Sequence, residues 1–174
     1  GIQSLSLDTT SFDCSDVGTV PVVVTVTDAA GNSDSCTANV TVVDNVDPNA
    51  VCDDITVQLG ASSTVTISAS DIDGGSTDNC GIASATANAS FDCSDIGVNT
   101  VTLTVTDVNG NTDTCQASVT VEENTPPTAL CQDLTVYLDS TGQAFVTAAD
   151  IDNGSSDNCG IATIGPDQLF DCSD

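Results

Sequence analysis

Nine cysteines set the frame, because their positions recur at one interval. A single step carries Cys14 onto Cys93 and Cys93 onto Cys172, and the same step carries Cys36 onto Cys115, Cys52 onto Cys131 and Cys80 onto Cys159. The words around them recur too: Phe-Asp-Cys-Ser-Asp begins at Phe12, Phe91 and Phe170, Asp-Asn-Cys-Gly-Ile at Asp78 and Asp157, and Asp-Ile-Asp at Asp71 and Asp150. Self-similarity at a fixed period is the mark of a tandem array. The alternating apolar pattern stops at two proline-bearing stretches, around Pro48 and around Pro126-Pro127, which are natural boundaries. Residues 1–46 then read as the C-terminal part of one repeat, 47–124 as a complete repeat and 125–174 as the N-terminal part of a third. Neither partial copy holds enough of a repeat to bury a core alone, so the chain is expected to be a piece of a longer one.

Within 47–124, alternation with period two marks half-buried strands at 55–59, 65–68, 101–105 and 117–121. A short strand is expected before Cys80, and a hairpin between Cys80 and Cys93, where the third copy places Gly165-Pro166-Asp167 at the turn. That makes seven strands in about 75 residues, the size of an immunoglobulin-like sandwich. The expected fold is all-β, as tandem sandwich domains in an elongated array.

Alternating strand directions place Cys52 and Cys115 at one end of such a sandwich and Cys80 and Cys93 at the other. The expected bridges are therefore Cys52 to Cys115 and Cys80 to Cys93, with Cys159 to Cys172 in the next copy. A bridge from Cys36 to Cys52 would join equivalent ends of successive domains, beyond the roughly 7 Å Cα separation a disulfide tolerates. Spacing by itself leaves the connectivity open.

Widely spaced cysteines in a chain without His suit oxidised bridges rather than a zinc site, which points outside the cytosol to an extracellular or cell-surface location. The chain has 26 Asp and Glu and no Lys, Arg or His, a formal charge of −26. The carboxylates must be balanced by solvent cations, bound metal or backbone N–H groups. Nucleic acid and anionic lipid are excluded as partners, since both call for Lys or Arg, and no apolar run approaches the ~20 residues of a membrane span. General acid–base and nucleophilic catalysis lack their usual residues, so no enzyme is expected. A Thr-rich strand such as 100–106 would in principle suit ice or another regular ligand surface, but β-propensity on a wet face is the favoured account of it.

The words Pro126-Pro127-Thr128-Ala129-Leu130-Cys131, Asp78-Asn79-Cys80-Gly81 and the stretch from Val26-Thr27-Asp28 through Gly31-Asn32-Ser33-Asp34-Ser35-Cys36 resemble the hyalin repeat (HYR) family over nearly the whole repeat. The resemblance implies immunoglobulin-like modules associated with cell adhesion, occurring in very long cell-surface proteins of Bacteroidetes. Two readings of function stay open: a Ca²⁺-stiffened shaft that displays a distal adhesin, its partners the neighbouring repeats, or a self-assembling filament that contacts identical chains with no metal role. The chain departs from many relatives in its Phe-Asp-Cys-Ser-Asp cysteine, and in having Thr64 and Ala144 near where others carry a cysteine. That departure implies a relocated partner for the Asp-Asn-Cys cysteine and favours a bridge from Cys80 to Cys93.

Oxygen ligands cluster in predicted loops. Asp71 and Asp73 lie before the short third strand, and Asp107, Asn109, Asn111 and Asp113 lie in the turn between the last two. Their counterparts are Asp150 and Asp152, and Asp28, Asn32 and Asp34. Linker acids Asp44 and Asp47 would complete the six to eight oxygens that Ca²⁺ prefers. The loop placement is similar to that of cadherins, which implies calcium as a cofactor stiffening the junctions. The competing reading takes the same residues as good turn formers on a solvated face, and the Asp92-Cys93-Ser94-Asp95 corner as a structural turn. Thr9 and Ser140, in Asp8-Thr9-Thr10 and Asp139-Ser140-Thr141, resemble bacterial O-glycosylation sites.

Overall fold

A computed structural model describes residues 1–165 and the backbone of 168–171. The chain is all-β, with eleven strands, two single-turn α-helices and two 3-10 turns among the described residues. It divides into two compact units, Gly1–Asp53 with Ile72–Ala87 and Thr102–Gln116, and Asp54–Asp71 with Asn88–Val101 and Ala117–Asp174.

In the first unit, β1 (Ile2–Leu7), β2 (Gly18–Asp28) and β3 (Ser33–Val42) form an antiparallel sheet in that order. A short strand further along, Ile82–Thr86, pairs antiparallel with residues 104–107. In the second unit, β4 (Ile55–Gln58) runs parallel to residues 119–122. There β5 (Thr64–Ser68), which leads into α1 (Ala69–Ile72), pairs antiparallel with the strand Asn88–Asp92. In chain order the two later strands are β6 (Ile82–Thr86) and β7 (Asn88–Asp92). Two eleven-residue strands, β8 (Gly97–Asp107) and β9 (Thr112–Glu122), complete the four-stranded sheet β4-β9-β8-β6. Finally β10 (Gln143–Val146), α2 (Ala148–Ile151) and β11 (Gln168–Asp171) belong to the third sequence copy, where β10 pairs with β11.

The core follows from strict alternation. Val101, Leu103, Val105 and Asp107 of β8 and Ala117, Val119 and Val121 of β9 are buried, while their neighbours face outward or lie half-covered. Leu59, Ile67, Ile72 and Phe91 add the largest remaining apolar side chains. At roughly 25 cal/mol per Å² of apolar surface, each contributes on the order of 1.5–3 kcal/mol.

Register equivalents show what that packing needs. Leu59 is 2% exposed, with its N–H donating to the Glu122 carbonyl at 2.8 Å. Leu138, its equivalent in the next copy, is 48% exposed, and residues 134–138 form no strand. The partner β4 finds in β9 has no counterpart after Leu138 within the 174 residues.

Two expectations about the middle repeat need correction. The short strand before Cys80 is replaced by isolated bridges, Asn49 with Thr77 and Cys52 with Asp73, so 47–124 holds six strands, β4 to β9. Side-chain-capped turns at Asp73 and Asp78 take up the backbone N–H groups that a ladder would have used. No hairpin lies between Cys80 and Cys93 either. β6 and β7 are separated only by buried Ala87 and pair in different sheets, β6 with β8 and β7 with β5, so the chain changes sheet there instead of turning back.

The disulfides follow that geometry. Cys52 and Cys115 are bonded, with Cα atoms 5.8 Å apart, because the parallel pairing of β4 and β9 brings the starts of both strands to one end. The bridges expected from Cys80 to Cys93 and from Cys159 to Cys172 are not formed: Cys80 is bonded to Cys14 and Cys93 to Cys159, each across 66 residues of sequence. Without a hairpin nothing returns Cys93 to Cys80. Cys172 lies outside the described residues. Cys36 and Cys131 are exposed and unbridged among the described residues. They are the register equivalents of Cys115 and Cys52.

Candidate functional site

Both cysteines of the Cys14–Cys80 bridge are held by aspartates. Cys14 opens a 3-10 turn, Cys14–Asp16, that is capped reciprocally. The N–H and hydroxyl of Ser15 donate to Asp13 Oδ1 at 2.8 and 2.6 Å, and the Asp13 N–H donates to Asp16 Oδ2 at 2.9 Å. The two Ser15 bonds, the hydroxyl first, hold the Asp13 carboxyl below its ordinary range. Cys80 sits on an Asx turn in which its N–H and that of Gly81 donate to Asp78 Oδ2 at 2.7 and 2.9 Å. Gly81 has φ +108°, a conformation that favours glycine, and its carbonyl accepts the Val108 N–H at 3.0 Å. That last bond ties the bridge to the turn between β8 and β9.

Asp107 organises that turn. The N–H groups of Asn109, Gly110 and Asn111 donate to its Oδ1 at 2.6–2.9 Å, and Asn111 Nδ2 donates to Oδ2 at 2.6 Å. Burial pushes this carboxyl up, but these four bonds outweigh it and hold the acid below its usual range. The two asparagines also reach the linker: Asn109 Nδ2 donates to Asp44 Oδ2 at 2.8 Å, and Asn111 Nδ2 lies 3.3 Å from the Asp44 carbonyl and 3.2 Å from that of Val46. Asn79, beside the bridge, donates to Asp44 Oδ1 at 3.4 Å.

Asp44, Asp78 and Asp107 thus meet, each offering one carboxylate oxygen within 4.8 Å of the other two. The trio could hold a metal ion. One atom supports the fit: Asp78 Oδ1 is buried and accepts no hydrogen bond, a costly state for a carboxylate oxygen unless something positive reaches it. Its equivalent in the next copy, Asp157, repeats the pattern, with Oδ1 taking the Cys159 N–H at 2.9 Å and Oδ2 buried without a partner.

Among the described residues, most of the other expected ligands are engaged in local hydrogen bonds. Asp71 accepts the Ser68 N–H and hydroxyl at 2.7 and 2.8 Å, and Asp150 accepts those of Thr147 at 2.9 and 2.7 Å. Asp73 takes the N–H of Gly75 and the N–H and hydroxyl of Ser76, while Asp152 takes the N–H groups of Gly154 and Ser155. Asp28 repeats the Asp107 turn, binding the N–H groups of Ala30 and Asn32 and the Asn32 amide. Asp34 accepts from Ser35 N–H and Asp113 from Ala50 N–H, and Asp47 is exposed. Among the described residues, backbone N–H groups and hydroxyls answer most of the charge. Asp92 and Asp95 form the same capped turn around Cys93 that Asp13 and Asp16 form around Cys14. Thr9 is half-buried, and Ser140 is exposed at the turn closed by Asp139.

Asp78 is the member of the trio that sequence reasoning missed. Its word reads as a turn motif, and the carboxylate does make that turn with one oxygen while leaving the other free. The signal available was its recurrence at Asp157 beside a cysteine. No protein-family model matches the chain, and no curated protein matches it in sequence.

Proposed function

We propose that this chain is a structural segment of a long extracellular surface protein or filament of the hyalin-repeat type, serving as a shaft whose repeats are fastened to one another. The carrying observation is the pair of bridges, Cys14–Cys80 and Cys93–Cys159, that join the Phe-Asp-Cys-Ser-Asp word of one sequence copy to the Asp-Asn-Cys-Gly word of the next. A bridge of that kind fixes how successive copies meet, which serves a shaft and is of no use to independently acting modules. Beside the first bridge, Asp44, Asp78 and Asp107 would hold a divalent cation. An all-oxygen donor set suits Ca²⁺, and the ion would supply the positive charge that the side chains of this sequence lack.

The cation is tested by thermal melting of the 174-residue chain in Ca²⁺ and in EGTA. Binding at a hundred times Kd adds about 2.7 kcal/mol, which for a chain of this length shifts Tm by roughly 5–11 °C. Asp78→Asn keeps an acceptor for Cys80 and Gly81 and removes the charge, so the variant should fold and lose the Ca²⁺ response. Identical wild-type curves in Ca²⁺ and EGTA would sink the cation assignment and leave the bridged shaft standing.

A further inference from the structure

The three bridges overlap along the sequence. Cys52 lies inside the loop closed by Cys14–Cys80, and both Cys80 and Cys93 lie inside the loop closed by Cys52–Cys115. The shortest covalent route through the molecule therefore enters at Cys14, crosses to Cys80, follows the chain from Cys80 to Cys93 and crosses to Cys159. Of each sequence period, only the stretch between those two cysteines lies on the route.

Resting on the reading of the chain as a shaft, we infer that tension on the oxidised protein is carried by this route, making it an inextensible tether rather than an unfolding spring. The Cys80-to-Cys93 stretch, about 13 residues at about 3.5 Å each, with a bridge of 5.4 Å between Cα atoms, caps the extension at about 50 Å per repeat. A repeat without such bridges, about 80 residues long, would release its full contour of about 280 Å.

The loaded stretch is β6, Ala87 and β7, two strands pulled along their axes. Ladder bonds stand perpendicular to antiparallel strands, so a pull along the strand loads those to β8 and β5 together rather than one at a time. Residues 94–158, which include β8 and β9 with Leu103, Val105, Val119 and Val121, are bypassed by the Cys93–Cys159 bridge.

The test is single-molecule pulling of the full chain by tags at its two ends, under oxidising conditions, with and without Ca²⁺. The oxidised chain should reach a limiting contour of about 150 Å and the reduced chain about 610 Å. Replacing Cys52 and Cys115 with Ser should leave the oxidised limit unchanged, because that bridge is off the route. Replacing Cys14 and Cys80 with Ser diverts the route through Cys52–Cys115 and should lengthen the limit by about 170 Å. The limiting contour depends on which bridges exist and not on whether the variant folds. An oxidised wild-type limit above about 250 Å, far beyond what the bridged route can span, or lengthening in the variant lacking Cys52 and Cys115, would overturn the inference. The limit is independent of any bound cation, so this outcome and the melting result in EGTA fail separately.

Discussion

Removing the Cys52–Cys115 bridge should cost the protein several kcal/mol through the unfolded state. The bridge closes a loop of 63 residues. In the chain-entropy account, a loop of that length restricts the unfolded ensemble by about 4 kcal/mol at 25 °C. The neighbouring bridges trim that figure, since Cys14–Cys80 already confines the unfolded chain around Cys52 and Cys93–Cys159 does so around Cys115. Halving the effective loop changes the term by only about 0.6 kcal/mol, so the expected loss for the double Cys→Ala variant is about 3–4 kcal/mol. Reducing agent would break all three bridges, which makes the variant the cleaner perturbation. Equilibrium urea unfolding followed by far-UV circular dichroism is the suitable assay, because the chain has no Trp and its single Tyr137 is 88% exposed. The slope m should also rise, as the released chain exposes more surface on unfolding. A loss below about 1 kcal/mol with an unchanged m would refute the argument that this bridge acts on the unfolded chain.

Leu103 is fully buried in β8, so Leu103→Ala should lose about 2–5 kcal/mol, whereas Val98→Ala, at a side chain 74% exposed, should stay within about 0.5 kcal/mol; urea midpoints separate the two. Acid should destabilise the fold through its turns. Folded-state pKa values lowered at Asp107, by hydrogen bonds that outweigh burial, and at Asp28, by the Asn32 amide first, contribute stability present above the unfolded value of about 3.9 and lost as pH falls through the folded one. Protonation also relieves repulsion among the 26 acids, so melting is best followed in about 0.5 M salt, where that repulsion is screened. Tm should then hold steady from pH 7 to 5 and drop below about pH 4, and a Tm that rises from pH 5 to 3 would contradict the assignment.

The all-β class and the paths of β4, β5, β8 and β9 were legible because alternation with period two states directly which side chains share a face. Burial of residues 101, 103 and 105 and of 117, 119 and 121 is the same pattern seen in three dimensions. Alternation does not say which sheet a strand joins. The run through Ala87 reads as two arms of a hairpin or as one strand changing sheets, and the choice lies in contacts of β6 with β8 and β7 with β5 that are remote in sequence. The misplaced bridges descend from that one ambiguity. At the candidate site, turn chemistry and ligand chemistry draw on the same residues. Asp71, Asp73 and Asp107 are all turn acids, and the distinction of Asp78 is a single oxygen left without a donor, at which the sequence hints only through the recurrence of its word at Asp157.

Overlap of the three loops also bears on survival outside a cell. Every peptide bond from Cys14 to Cys159 is spanned by at least one disulfide: Cys14–Cys80 covers the first stretch, Cys93–Cys159 the last, and Cys52–Cys115 the interval between them. A protease that nicks any one loop in this region therefore cannot part the molecule. Severing it takes at least two cuts, or one cut together with a reductant.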